Sequence, residues 1–383
     1  MGKRISLWRT YTLSLLTFFT CSVAKAQVTS DTLFRKNPDG SVVFSFHDTN
    51  ANSVKVYCDC KLRHEKSEIK RENYHSVRMK KDSAGYWTYT TPPLPPEVYT
   101  YQFEAYGQRF PDPNNADSIR VRREKMSVFI IDGTPQTNLY SVESLQGRVD
   151  TVLFQCGPEM KTRKILVYTP PGYDKEQHAY PVLYLLHGLN GNETSWNDRG
   201  RAVQVLENLI LQHRAAPMIM VIPDANPECL ISKKEDIGLF KNIMLYPSWN
   251  KMEFENCYPA MDDYLSQRYR FSNVKGSRAV AGLSAGAKQA ANLANMYDST
   301  FCAVGMFSPV VGWKQLPENS FSKYWIGGGT GDLFHHRINK FRKRLQRKHF
   351  QYTMYNTRGG HTWRNWRVYF TEYVQTLFWN CSH

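Results

Sequence analysis

The segment that most restricts the fold is Arg278-Ala-Val-Ala-Gly-Leu-Ser-Ala-Gly-Ala287. Its apolar front reads as a buried strand, and the run Lys288 to Met296 behind it reads as a helix. The turn between them is Gly282-x-Ser284-x-Gly286. A serine on so sharp a strand-to-helix turn projects its hydroxyl clear of the backbone, and glycines flank it because a Cβ there would clash. Glycine and serine are common in turns, so these five residues alone are a weak signal. The strand before and the helix after supply the context that makes Ser284 a candidate nucleophile.

The surrounding pattern agrees with that reading. After Asp132-Gly133, apolar strands (KILVYTP, PVLYLLH, PMIMVIP, RAVAGLS, KYWIGGG, FQYTMYN) alternate with helix-length segments, which predicts βαβ units and a parallel sheet with helices on both faces. From Ser41 to about Ile131 the strands are short (SVVFSFH, SVKVYC, YWTYTTP, VYTYQFEAYG) and separated by Asp, Asn, Gly and Pro. That pattern predicts an immunoglobulin-like all-β sandwich, with the charged stretch Lys61 to Glu72 as a long exposed loop. Trp87 and Tyr89, and Tyr99, Tyr101 and Phe103, recur at every second residue, so they are expected in the sandwich core.

The first residues place Lys3, Arg4 and Arg9 ahead of an apolar run from about Tyr11 to Val23, followed by Ala24-Lys25-Ala26. This predicts a signal peptide, residues 1–26, and a secreted or periplasmic protein cleaved near Ala26. The run is short for a bilayer, which needs about 20 apolar residues, and no membrane span is expected. The expected organisation is therefore 1–26 signal peptide, 27–133 β-sandwich and 134–383 α/β domain. Removing Lys3, Arg4, Arg9 and Lys25 lowers the formal charge from +15 to +11. The densest basic run, Arg337 to Lys348, keeps Ile338, Phe341 and Leu345 at helical spacing, so it reads as the wet face of an amphipathic helix. Nucleic acid is not an expected partner.

Seven cysteines follow Cys21, an odd number that cannot all pair within one chain. Cys58-Asp59-Cys60 lacks the spacing of a zinc site, and neither metal nor cofactor is expected. A single disulfide is expected between Cys229 and Cys257.

A nucleophile on such a turn requires an acid and then a histidine later in the chain. Between Ser284 and the best-placed histidine the carboxylates are Asp298, Glu318 and Asp332. Asp298 lies at the far end of the helix that starts at Ser284, roughly 20 Å away at 1.5 Å per residue. Glu318 falls in an irregular loop. Asp332 follows a strand and the turn Gly-Gly-Thr-Gly, at a strand's carboxyl end, where open α/β sheets bind ligands. Of His335, His336, His349, His361 and His383, only His361 stands in a loop between the last strand and a closing helix. Asp332 is thus the expected acid and His361 the expected base. The expected oxyanion hole is made of two backbone N–H groups, those of Ala285 and of Leu189 in Leu185-Leu-His-Gly-Leu-Asn-Gly191. Trp196 and Trp363 lie near these loops, as walls of an aromatic substrate pocket or, equally, as core residues.

From about Val149 to Phe378 the chain resembles the "putative esterase" family of feruloyl esterases, S-formylglutathione hydrolases and enterochelin esterases. The likeness is carried by TRKILVYTPPGYD, YPVLYLLHGLNGNETSW, PMIMVIPDAN, RAVAGLSAGA and GGHTWRNWRVYF. Residues 34–131, with GYWTYTTPPLPPEVYTYQFEAYG, are similar to an early-set module related to starch-binding modules. The resemblance implies an α/β-hydrolase fold and a serine esterase that forms an acyl-enzyme. Its implied substrates are feruloyl or acetyl esters of plant-wall polysaccharide, with glycan binding by the N-terminal module as a further implication. The competing readings are a siderophore trilactone esterase and a non-catalytic carbohydrate-binding protein. Relatives usually read Gly-Leu-Ser-Met-Gly-Gly where this chain has Gly-Leu-Ser-Ala-Gly-Ala, so Ala285 and Ala287 are expected to reshape the acyl pocket. Every expected catalytic group lies after Gly133, which predicts that residues 134–383 suffice for turnover of a small ester.

Overall fold

A computed structural model describes residues 34–60, 74–121, 124–134, 139–142, 144–231, 251–297, 299–310 and 323–378. The N-terminal part forms two antiparallel sheets. Strands β1 (Arg35–Lys36), β2 (Val42–His47), β3 (Val54–Cys58), β4 (His75–Arg78) and β5 (Lys80–Lys81) are followed by β6 (Tyr86–Thr90), β7 (Glu97–Ala105), β8 (Gln108–Phe110), β9 (Ser118–Val121) and β10 (Glu124–Ile131). One sheet has the order β1-β2-β6-β5. The other runs β4-β3-β7-β10-β9, with β8 paired to β7. Burial alternates along β2 and β3, as a strand with one inward face requires. Phe44 of the first sheet lies 4.9 Å from Tyr101 of the second, and Phe46 lies 5.2 Å from Phe103. Trp87, Tyr99, Tyr101 and Phe103 are buried in this shared core, as their spacing predicted. Residues 1–26 and the Lys61–Glu72 stretch lie outside the described residues.

The C-terminal part is one eight-stranded sheet. Its strands are β11 (Arg148–Cys156), β12 (Lys161–Thr169), β13 (Val182–Leu186), β14 (Ile219–Pro223), β15 (Arg278–Leu283), β16 (Phe301–Phe307), β17 (Lys323–Gly329) and β18 (Tyr352–Thr357). The order is β11-β12-β14-β13-β15-β16-β17-β18, antiparallel across the first two pairings and parallel from β14 onward. Strands β13 and β15 are buried along their whole length, the uniformly apolar pattern of a parallel sheet covered on both faces. Along β13, Val182, Tyr184 and Leu186 face one core and Leu183 and Leu185 the other.

Helices α1 (Ser195–Asp198), α2 (Ala202–Leu211), α3 (Glu228–Ile231), α4 (Glu253–Ser266), α5 (Ala285–Met296), α6 (His335–Arg347) and α7 (Trp363–Val374) complete this part. Apolar residues of α4, α5 and α6 fill the first core, and those of α2 and α7 fill the second. In α6 the buried residues are Ile338, Phe341 and Leu345, so its basic side chains form the outer face, as expected. This is the α/β-hydrolase arrangement. Among the described residues no helix is long and apolar enough to cross a membrane.

The expected Cys229–Cys257 disulfide is corrected. Cys257 pairs with Cys156, across 101 positions and with Cα atoms 5.8 Å apart, while Cys229 is free and exposed. The reason is topological, because edge strand β11 passes beside α4. A second disulfide joins Cys58 to Cys60.

Candidate active site

Ser284 stands between β15 and α5 with φ 54° and ψ −113°, a left-handed backbone conformation that side chains rarely adopt. Its N–H donates to the Phe307 carbonyl of neighbouring β16 at 2.8 Å, which holds the turn. The flanking glycines are sterically required. A Cβ on Gly282 would lie 2.4 Å from the Gly286 carbonyl, and one on Gly286 would lie 2.3 Å from that of His187.

Asp332 follows β17 and His361 follows β18, so both loops meet Ser284 at the carboxyl edge of the sheet. His361 Nε2 is 3.0 Å from Ser284 Oγ, and His361 Nδ1 is 3.2 Å from Asp332 Oδ2. The loops can approach because they meet at glycines: a Cβ on Gly329 would lie 2.0 Å from the Gly359 carbonyl oxygen. Burial pushes the Asp332 carboxyl up. The hydrogen bond and charge of His361, with hydrogen bonds from Ser308 and the Phe334 N–H, outweigh it and hold the group below its ordinary range. An ionised Asp332 at the Nδ1 side sets the tautomer in which Nδ1 carries the proton and Nε2 accepts from the serine. The other described histidines weighed for this role stand elsewhere: His335 and His336 open α6, with His335 bonded to the Gly329 carbonyl at 3.0 Å, and His349 follows the end of that helix. Asp298, Glu318 and His383 lie outside the described residues.

Ala285 is the first residue of α5, so its N–H has no partner within the helix, and Ser284 stands at the positive end of the helix dipole. The loop carrying Leu189 lies against the serine: a Cβ on Gly188 would be 3.2 Å from Ser284 Cβ. His187, fully buried, pins this loop. Its Nδ1 is 2.8 Å from the Gly188 carbonyl, and its Nε2 is 3.0 Å from the Ala225 backbone nitrogen and 3.6 Å from Asp224 Oδ1. Asn226 Nδ2 donates to the Gly191 carbonyl at 2.9 Å.

Of the two readings of the tryptophans, burial favours the core one over the pocket wall. Trp196 is fully buried, donates its indole N–H to the Leu186 carbonyl at 2.9 Å and meets Trp363 edge-on, and Trp363 is buried as well. They are core residues beneath the site. The aromatic rings that touch His361 are Phe334 and Trp366, edge-on at 5.1 and 4.9 Å. Trp366 Nε1 also donates to Ser308 Oγ at 3.1 Å, and Ser308 in turn bonds Asp332. None of Phe334, Trp366, Ser308 and His187 was marked in the sequence. Trp366 recurs three residues after Trp363 on a helix that starts beside His361, the one signal available.

Fold and site together have the form of an α/β-hydrolase with a continuous Ser284–His361–Asp332 contact. A family model described as "Putative esterase" matches residues 159–330 of the chain. It is 28% identical over 310 residues to an endo-1,4-beta-xylanase/feruloyl esterase of Xylanibacter ruminicola, an alignment covering 78% of this chain. The chain spans only 41% of that protein's length. Among solved structures it is similar to the enterobactin esterase of Shigella flexneri, with a TM-score of 0.61 and 14% identity, over 92% of this chain and 97% of that one. It is also similar to a ferulic acid esterase from Anaeromyces mucronatus, with a TM-score of 0.51 and 21% identity, over 62% and 93%. At these identities both likenesses concern the fold.

Proposed function

We propose that the chain is a serine carboxylic-ester hydrolase that removes feruloyl or acetyl groups from plant-wall polysaccharide through an acyl-enzyme on Ser284. The observation that carries this reading is the continuous contact from Ser284 Oγ through His361 to Asp332 at the carboxyl ends of β15, β17 and β18. The xylanase/feruloyl esterase relative supports the substrate class.

In this mechanism His361 Nε2 takes the Ser284 proton as Oγ attacks the ester carbonyl. The charge that develops on the carbonyl oxygen is met by the N–H groups of Ala285 and Leu189. Collapse expels the sugar alcohol, to which His361 returns the proton. Water, deprotonated by the same nitrogen, then releases the acid and regenerates the serine. Asp332 stabilises the imidazolium in each half-reaction and keeps its proton on Nδ1.

The chain is read as a signal peptide over 1–26, an immunoglobulin-like early-set module over 27–133 and the catalytic α/β-hydrolase domain over 134–383. The protein is secreted or periplasmic in this account, and the module is a candidate glycan-binding surface. A second reading, siderophore trilactone hydrolysis, draws on the fold shared with the enterobactin esterase along nearly the whole chain. Turnover of methyl ferulate, acetylated xylan and enterobactin by the purified protein separates the two. Preference for enterobactin would overturn the polysaccharide reading, and failure to react with a fluorophosphonate would favour a non-catalytic carbohydrate-binding protein.

A further inference from the structure

Helix α7, which begins two residues after His361, is gripped from the N-terminal sheets. Glu97, the first residue of β7, is buried, and so is Arg367 on α7. Arg367 Nε and Nη2 reach Glu97 Oε1 at 2.9 and 2.8 Å, and Arg364 Nε reaches Oε2 at 3.3 Å. Arg367 Nη1 also donates to the Arg199 carbonyl, between α1 and α2, at 2.6 Å. One guanidinium thus ties an N-terminal strand, the α1–α2 link and the helix behind the base.

The same stretch of α7 holds the His361 loop. Asn365 donates to the Gly360 carbonyl, and Trp366 packs edge-on against the His361 ring while bonding Ser308, the partner of Asp332. A rotation of α7 that relaxed Arg367 would carry Trp366 and Asn365 with it. A buried ion pair is by itself poor evidence of a stabilising role, because desolvation offsets its attraction. The placement of this pair, one residue from Trp366, argues for orientation instead.

We propose that Glu97 is a positioning residue for His361, so that the N-terminal β region and the α/β-hydrolase region form one catalytic unit. The inference rests on the reading of His361 as the general base. It runs against the expectation that residues 134–383 suffice for small esters, because that stretch lacks the carboxylate on which Arg367 is seated.

The test uses the full chain with Glu97→Gln and with the double variant Glu97→Gln/Arg367→Met, which removes both charges. Thermal midpoint, kcat and KM on methyl ferulate are measured for each. Displacement of a catalytic group by about 1 Å costs on the order of 100-fold, so Glu97→Gln is expected to lose about 10- to 100-fold in kcat with KM nearly unchanged. The double variant is expected to regain the thermal midpoint, since no buried cation is left without its carboxylate, and to keep the low kcat. If Glu97→Gln does not fold, the double variant decides alone. Wild-type kcat in either folded variant would overturn the proposal and leave Glu97 as ordinary domain packing. A wild-type protein that hydrolyses no ester would overturn the esterase reading beneath it.

Discussion

Gly286→Ala probes the oxyanion arrangement through a steric change whose size can be worked out. A Cβ at this position would lie 2.3 Å from the His187 carbonyl oxygen and 2.7 Å from that of Leu186. Both neighbours are backbone, so no flexible side chain can swing aside. A separation of about 0.7 Å between α5 and the end of β13 brings the shorter contact only to the 3.0 Å that real Cβ atoms require. That movement widens the gap between the N–H groups of Ala285, on α5, and Leu189, just after β13. Oxyanion donors act within about 2.7–3.1 Å of the developing charge, and loss of one costs about 10²–10³ in kcat. The expected outcome is a folded protein with kcat on methyl ferulate lowered by about 100-fold or more. Circular dichroism and the thermal midpoint establish folding, and steady-state kinetics read the loss. A folded Gly286→Ala protein with wild-type kcat would refute the placement of the two donors.

Asp332→Asn should lower kcat by about 10⁴, the loss the serine triad shows when its acid no longer sets the histidine tautomer; steady-state kinetics with a thermal-melt control check it. Asp332 also predicts an acid dependence of stability. Its carboxyl is held below the ordinary range when folded, so as pH falls the unfolded chain takes up this proton first, near about pH 4. The stability that ionised Asp332 contributes is complete above that pH and lost below it. Unfolding free energy should therefore fall less steeply between about pH 5 and pH 3 in Asp332→Asn than in the wild type, and parallel curves would contradict the depressed carboxyl. Cys156→Ala, which opens a link across 101 positions, should destabilise by about 2–5 kcal/mol in denaturant melts; an unchanged midpoint under oxidising conditions would contradict the bond.

The parts of this molecule legible in its sequence are those encoded locally. The apolar run into Gly282-x-Ser284-x-Gly286 can form only a strand and a tight turn, and the expected strands KILVYTP, PVLYLLH and RAVAGLS are strands β12, β13 and β15. Asp332 and His361 were found by chain order and by the ends of strands, yet order says nothing of distance; the 3.0 and 3.2 Å contacts depend on loops meeting at Gly329 and Gly359. Strand β16 went unread, although Phe-Cys-Ala-Val-Gly-Met-Phe is apolar enough, and with it Ser308 at its end. Edge strand β11 is largely polar and exposed, so its place beside α4 and the Cys156–Cys257 bond had no local signature. Trp196 illustrates a different limit. An aromatic residue near a glycine loop suits a pocket and a core equally, and only its complete burial beneath Leu186 decides. Glu97 is the most remote case, because its partner Arg367 lies 270 positions away.

The most direct test of the account is the site of covalent reaction. The protein is treated with a fluorophosphonate, its intact mass is measured, and the modified peptide is mapped, alongside Ser284→Ala. The account predicts a single adduct on Ser284. It also predicts a Ser284→Ala protein that keeps its thermal midpoint, takes no label and hydrolyses no methyl ferulate, since an elbow hydroxyl contributes little to packing. An adduct on another residue, or a Ser284→Ala protein with more than about a tenth of wild-type turnover, would contradict it.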